Sequence, residues 1–480
     1  MLQPALYCVL FLACVAICSQ TRSHRVRKIA LLVASYALYL TWTPWFALIL
    51  LASAIINFLI GQWLRKDPGA VPLTVGILLN LLLLGTFKYL PEAAAHSSAS
   101  SLQNFSHIAM PLGISFWTFQ AMSYLFDLYR GEELAPSFLE FALYMAFFPV
   151  TISGPICRVP DMLPQFRTDE RTPWHDITEG FRRIATGVFM VQLAKLLGQG
   201  ILGGDGVTSG FDRLTHWSGP DVWCLAFGYG LQLFLDFAGY SHIAIGAAKA
   251  LGLTIPENFA RPFQSTNASI FWTRWHMSLS FWIRDYVFLS LATARREMWW
   301  RTLSLVISML AFGLWHRATW LFVLWGAYHG ILLVLHRQMR QFERRWNWEP
   351  GRLWTAVSWI VTMSVINFGW IFFHANSLQQ ARQMLNAVVS PATYTSHFLT
   401  STLYWLVAAI AAGYAFVVLT IDALNRHAEK SETPSGGVVA SLARSRWYWL
   451  PPIYGVALIV LLIVTFTRGA STAQFMYNKF

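Results

Sequence analysis

FALILLASAIINFLIGQW, Phe46–Trp63, followed after Leu64 by Arg65 and Lys66, decides the fold. It carries no charge and approaches the ~20 apolar residues that a helix needs to cross a bilayer. Similar runs occupy Leu2–Ser19, Ile29–Trp45, Val71–Tyr89, Phe138–Ile156, Gly180–Leu197 and Val222–Leu251. Others cover Thr302–Trp315, Thr319–Leu335, Leu353–Phe373, Ser401–Thr420 and Trp449–Thr465, several of them short or broken by Gly and Pro. The expectation is an all-α, polytopic integral membrane protein with roughly 11–13 transmembrane or re-entrant helices.

Composition agrees. Of 480 residues, 56% are hydrophobic and 12% charged, with 23 Trp and 35 Phe. A soluble domain carries about a quarter of its residues as charges, and no hydrophilic stretch here is long enough to build one. The net charge of +12 does not indicate nucleic acid. Its basic residues sit beside apolar runs: Arg22, Arg25, Arg27 and Lys28; Arg65 and Lys66; Arg337, Arg340, Arg344 and Arg345. That placement sets topology through the positive-inside rule, and leaves room for attraction of anionic headgroups or an anionic nucleotide. Cys8, Cys14, Cys18, Cys157 and Cys224 form no CxxC and read as apolar filler. Residues 1–18 have no charged segment before them and run into a basic loop, so they read as a retained first span instead of a signal peptide.

Two polar connections stand out, Glu92–Ser106 and Glu429–Arg446, and no repeat of fixed period is visible. Between Pro111 and Gly330 the sequence changes character, with His, Asp, Arg and Gln set among apolar residues. Ionisable groups at membrane depth are costly and need a partner, a watery cavity or a chemical task. Function is to be sought there.

The strongest segment is FWTRWHMSLSFWIRDYVF (271–288). Read as one helix, it places Trp272, His276, Leu279 and Ile283 on one face and Arg274, Ser278, Phe281 and Asp285 on the other. An interfacial helix anchored by Trp is the plain alternative to a chemical role. In GLWHRATW (313–320), His316 lies at the join of two apolar runs between Trp315 and Trp320. A general base must be a neutral imidazole, the form that apolar surroundings favour; a core histidine bonded to a carbonyl is the alternative. His329 follows, and on one unbroken helix the thirteen intervening steps of about 100° would turn it ~140° away from His316, which points to a packing role unless the helix breaks. In LDFAGYSHIAIG (235–246), Asp236 has Tyr240 one turn on and wants an arginine, Arg274 or Arg284, while Ala238, Gly239 and Gly246 permit close helix approach. MPLGISFWTFQAMSYLFDLYR (110–130) and FPVTISGPICR (148–158) are interrupted by Pro and Gly and read as broken or re-entrant. No GxSxG, Walker loop, HExxH or dinucleotide fingerprint is present, and no metal site is expected.

Six ordered motifs, PLGISFWTFQAMSYLFDLYRG (111–131), FFPVTISGPICR (147–158), DFAGYSHIAIG (236–246), ENFARPF (257–263), FWTRWHMSLSFWIRDYVF (271–288) and LWHRATWLFVLWGAYHG (314–330), resemble the membrane-bound O-acyltransferase family. The likeness is to its bacterial polysaccharide branch, which modifies alginate, cellulose, peptidoglycan and teichoic acid, and it runs from the N-terminal basic loop to Phe475–Phe480. The resemblance implies a funnel-shaped core in which a histidine acts in acyl transfer, mapping onto His316, with a second polar position at His276. The candidate substrate contacts are Trp272, Arg274, Trp275, Asp236, Tyr240, Asn258, Trp315 and Arg317, with His329, Arg284 and Asp285 behind them. The resemblance also implies acetyl-CoA as donor, an extracytoplasmic polysaccharide as acceptor, a periplasmic SGNH-type partner and the bacterial inner membrane as location. On this basis 1–110 are N-terminal transmembrane helices, 111–337 the catalytic core and 338–480 C-terminal transmembrane helices of one continuous domain. The sequence departs from the branch at Arg317, where Gly usually follows the histidine, and at His242, where Asp usually follows Gly-Tyr-Ser. A flippase of lipid-linked glycan with a buried His/Asp/Arg relay, or a scaffold without activity, remain the competing classes.

Overall fold

A computed structural model describes residues 2–95, 103–151, 153–201, 204–346 and 351–430. The expected span at 449–465, the basic connection beyond Lys430 and residues 475–480 lie outside the described residues, as do 96–102 of the polar loop. Among the described residues the regular structure is helical, with no strand. Among the described residues, seven helices are long and apolar enough to cross a membrane: Pro44–Lys66, Ala70–Ala95, Gly219–Ala250, Met298–His316, Trp320–Arg345, Arg352–His374 and the Ser401–Leu424 stretch. Outward-facing Trp405, Phe416 and Leu419 on the last of these would be untenable in water and suit a hydrocarbon surround. The protein is a multi-pass membrane protein.

The chain divides into two compact units. One draws on Met1–Ile184, Ser241–Pro262 and Trp272–Ser308; the other draws on Ala185–Tyr240, Phe263–Phe271 and the described part of Met309–Phe480.

In the first unit, helices Leu2–Gln20, His24–Trp42, Pro44–Lys66 and Ala70–Leu84 run back and forth, and Ile114–Tyr129 packs against the latter two. Tyr124 fills the space that a side chain at Gly61 would need, and Leu125 does the same at Gly76. Pro111 and Gly113 were expected to break this segment. They instead precede one continuous helix, because Gly113 takes the left-handed conformation (φ 68°) that starts it. The Phe138–Ile156 run is interrupted as expected: a helix over Phe138–Ala146 opens with a Ser137–Glu140 capping box, and a separate turn follows at Phe148–Thr151. Glu140 is also an ionic hub, accepting from Lys28 Nζ at 2.8 Å and from Arg167 Nε and Nη2 at 3.0 and 2.9 Å.

The small residues of the Asp236 motif act as their pattern suggests. A methyl at Gly246 would lie 2.5 Å from the Gly180 carbonyl oxygen, and one at Gly180 2.5 Å from that of Gly246. In the second unit Gly239 meets the Gly187 carbonyl in the same way. The Trp174–Gln199 and Gly219–Ala250 helices thus cross backbone to backbone in both units, which only glycine allows.

Candidate active site

His316 ends the Met298–His316 helix, and the chain turns at Arg317–Thr319 before Trp320–Arg345 begins. The break follows from close packing inside the hairpin. Gly313 lies against the Phe322 carbonyl and Gly326 against the Met309 carbonyl, leaving no room for side chains. The single-helix case that turned His329 away from His316 is therefore not realised. Both rings edge against Trp325, whose centroid lies 5.6 Å from that of His316 and 4.8 Å from that of His329. Phe312 stacks on His316 at 5.4 Å, with Trp315 at 4.7 Å and Phe373 at 4.9 Å. His316 is 6% exposed and Trp315 5%, whereas Arg317 projects outward from the turn. The imidazole thus sits in a box of rings with an exposed arginine directly beyond it. His329 is fully buried, its ring also meeting Trp370.

His276 belongs to the first unit, and its segment differs from expectation. Residues 271–288 do not form one helix. A helix ends at Trp272, His276 takes a left-handed conformation (φ 44°, ψ 52°), Met277–Trp282 is helical, and Ile283–Phe288 is a π-turn. The proposed stripe from Trp272 to Ile283 is accordingly absent. The cause lies 18 residues upstream, in Asn258. Its carbonyl takes the Met277 N–H at 2.9 Å, and its side-chain oxygen takes the Ser278 N–H at 3.3 Å and the Ser278 hydroxyl at 2.7 Å. The same oxygen lies 3.3 Å from His276 Nδ1, while the Asn258 amide donates to Ser241 at 3.1 Å. These bonds replace helical ones and hold a non-glycine residue in the left-handed region that such residues occupy only infrequently. Asn258 and His276 are thus brought together, as one polar cluster buried to within a few per cent.

Trp272 and Trp275 are buried too, Trp275 edge-on to Phe259 at 5.2 Å, and the Arg274 carbonyl accepts from Ala260 N–H at 3.0 Å. Asp236 and half-buried Tyr240 stand one turn apart on Gly219–Ala250, in the second unit. Arg284, offered as a partner for Asp236, instead donates to Asp285 at 2.7 Å. Asp285 also accepts from Arg158 at 2.7 Å, and these two bonds outweigh burial to hold its carboxyl below the usual range. Tyr286, which no motif in the sequence marks as functional, donates to buried Asp127 at 2.7 Å. No group of His, Cys, Asp and Glu suited to hold a metal occurs among the described residues.

Replacing Asn258 by alanine is expected to strand the Ser278 and Ser241 groups. Misplacement of His276 should then lower acyl transfer by about 10²-fold; initial rates of the variant check this. A variant as active as wild type would show that the cluster does not orient a reacting group.

The model of the MBOAT family, membrane-bound O-acyltransferases, matches residues 111–379, more than half of the chain. The chain belongs to that family and is an acyltransferase. It is 34% identical over 388 residues to a probable alginate O-acetylase, AlgI, of Pseudomonas aeruginosa, covering 77% of this chain and 71% of that protein. A protein of the same description from Azotobacter vinelandii is 30% identical over 491 residues, covering 95% of each chain. A peptidoglycan O-acetyltransferase of Helicobacter pylori is 30% identical over 397 residues, covering 75% of this chain and 73% of that one.

Proposed function

We propose that the protein takes an acetyl group from acetyl-CoA on the cytoplasmic side of the bacterial inner membrane and delivers it to hydroxyls of an extracytoplasmic polysaccharide. Delivery is direct or through a periplasmic SGNH-type partner. The observation that carries the reading is His316, a single imidazole enclosed by Phe312, Trp315, Trp325 and Phe373 at a glycine-tight hairpin. That chemistry suits a general base in a dry setting. The imidazole accepts the proton of the acceptor hydroxyl as its oxygen attacks the thioester carbonyl, and returns it to the departing thiolate. General-base catalysis supplies about 10²–10⁴-fold, and exclusion of water from the rings suppresses thioester hydrolysis. His276, fixed by Asn258, serves as the second polar position, and residues 111–337 are taken as the catalytic core.

The orientation follows from charge. Arg65 and Lys66 end the Pro44–Lys66 helix, and the Gly61–Tyr124 contact puts the end of Ile114–Tyr129, with Arg130, on the same side. Lys28 and Arg167 converge on Glu140 just after the loop that leaves that helix. Clustered Lys and Arg mark the cytoplasmic side, where a thioester donor is made.

The test is donor consumption. The protein reconstituted in nanodiscs with acceptor glycan, and with the SGNH-type partner added, is expected to release free CoA thiol from acetyl-CoA. Glycan movement without thiol release would establish the flippase reading instead.

A further inference from the structure

At the basic end of the first unit, Arg130 is held unlike its neighbours. Arg158 and Arg284 both bond to the Asp285 carboxylate, at 2.7 Å each. Arg130 Nη2 instead donates to neutral oxygens, the Asp285 main-chain carbonyl at 2.7 Å and the Ser290 hydroxyl at 3.3 Å. Its guanidinium lies over Tyr286 at 5.2 Å and Phe126 at 5.9 Å. The residue is solvent-exposed and forms no ion pair among the described residues. Its side chain is fixed by one nitrogen and two ring faces, so the Nε and Nη1 edges remain to donate, and the nearby Asp127 attracts the guanidinium without bonding to it. The carbonyl that fixes it belongs to the π-turn Ile283–Phe288, a distortion of the kind that recurs at functional sites. A planar, preset guanidinium without a carboxylate partner is what phosphate recognition requires.

We propose that Arg130 binds a phosphate group of the acyl-CoA donor, anchoring the nucleotide at the basic mouth of the first unit. The assignment rests on the thioester-donor reading above. An anionic phospholipid headgroup offers the same chemistry from the membrane, and the experiment separates the two. Tyr286 and Ser290 position the guanidinium without touching the donor. Asp285 has a double duty: its carboxylate neutralises Arg158 and Arg284 while its main-chain oxygen orients Arg130.

The experiment compares acetyl-CoA with acetyl-pantetheine, which carries the same thioester and no phosphate, in nanodiscs of phosphatidylcholine alone. For acetyl-CoA, Arg130→Gln is expected to raise KM ~10-fold or more, as loss of a charge-assisted bond would, with kcat little changed. For acetyl-pantetheine the KM should not move. Arg130→Lys, keeping charge without the fork, should recover part of the loss. An equal rise for both donors would mean a structural role and overturn the assignment, as would no change for either. An effect that appears only when phosphatidylglycerol is included would assign the arginine to a headgroup. If the wild type releases thiol from neither donor, the thioester reading itself fails, and this assignment falls with it.

Discussion

Replacing His316 by alanine is expected to cut acyl transfer by about 10²–10⁴-fold, the contribution of one well-placed general base. The substitution removes an imidazole whose surroundings are rings: Phe312 stacked beneath it, Trp315 and Trp325 at its edges and Phe373 across it. Little in that box can substitute as a proton acceptor, so the loss should fall on kcat. KM for the donor should stay near the wild-type value if the donor is held elsewhere, as the Arg130 assignment requires. Stability separates chemistry from collapse. Loss of a buried ring that size costs up to several kcal/mol, so His316→Gln, which keeps volume and polarity without basicity, is the companion variant. Both variants inactive with the glutamine form still folded would place the base at His316. A glutamine variant retaining full activity would remove it from the mechanism.

The second large effect is one of stability. Glu140 is 4% exposed and holds Lys28, itself 8% exposed, together with Arg167 and the Ser137 cap. The carboxylate thereby ties the His24–Trp42 helix, the Phe138–Ala146 helix and the loop at Arg167 into one corner of the first unit. Removing one member of a buried ion pair leaves an uncompensated charge and costs about 3–5 kcal/mol. Glu140→Ala should therefore lower the thermal midpoint in detergent by several degrees, and Glu140→Gln, which retains the cap geometry, by less. Burial alone would raise this carboxyl's pKa, but the bonds from Arg167, Lys28 and Ser137 hold it well below the ordinary range. The contribution is then complete above the ordinary carboxyl value and disappears only as pH falls toward the depressed one. Between neutral pH and mild acid, wild type and variant should therefore differ by a nearly constant amount.

The sequence discloses most of the helices because a bilayer-length apolar run has little alternative to a helix. It singles out His316 as a candidate because a histidine between two apolar runs is conspicuous. It also discloses the helix crossing at Gly246, since small residues beside an intramembrane carboxylate mark close approach. The break at His276 was not legible. Residues 271–288 have helical periodicity, and what disrupts it is a set of bonds to Asn258, which no local pattern reveals. Arg130 and Tyr286 escaped for a related reason. Arg158 and Asp285 are 127 residues apart and Arg130 and Asp285 155, so only the folded chain distinguishes the arginines that bond a carboxylate from the one that bonds neutral oxygens. Arg317 stands where the family resemblance leads one to expect glycine, and its outward position explains why the turn accommodates it: the side chain leaves the ring box instead of entering it.

The most direct test of the central claim is transfer across a sealed membrane. Proteoliposomes would be loaded with radiolabelled acetyl-CoA, with the glycan and the SGNH-type partner supplied only outside. Label is expected on the outer glycan, dependent on lumenal donor and lost in His316→Ala. Unlabelled glycan with acetyl-CoA left intact inside wild-type vesicles would contradict it.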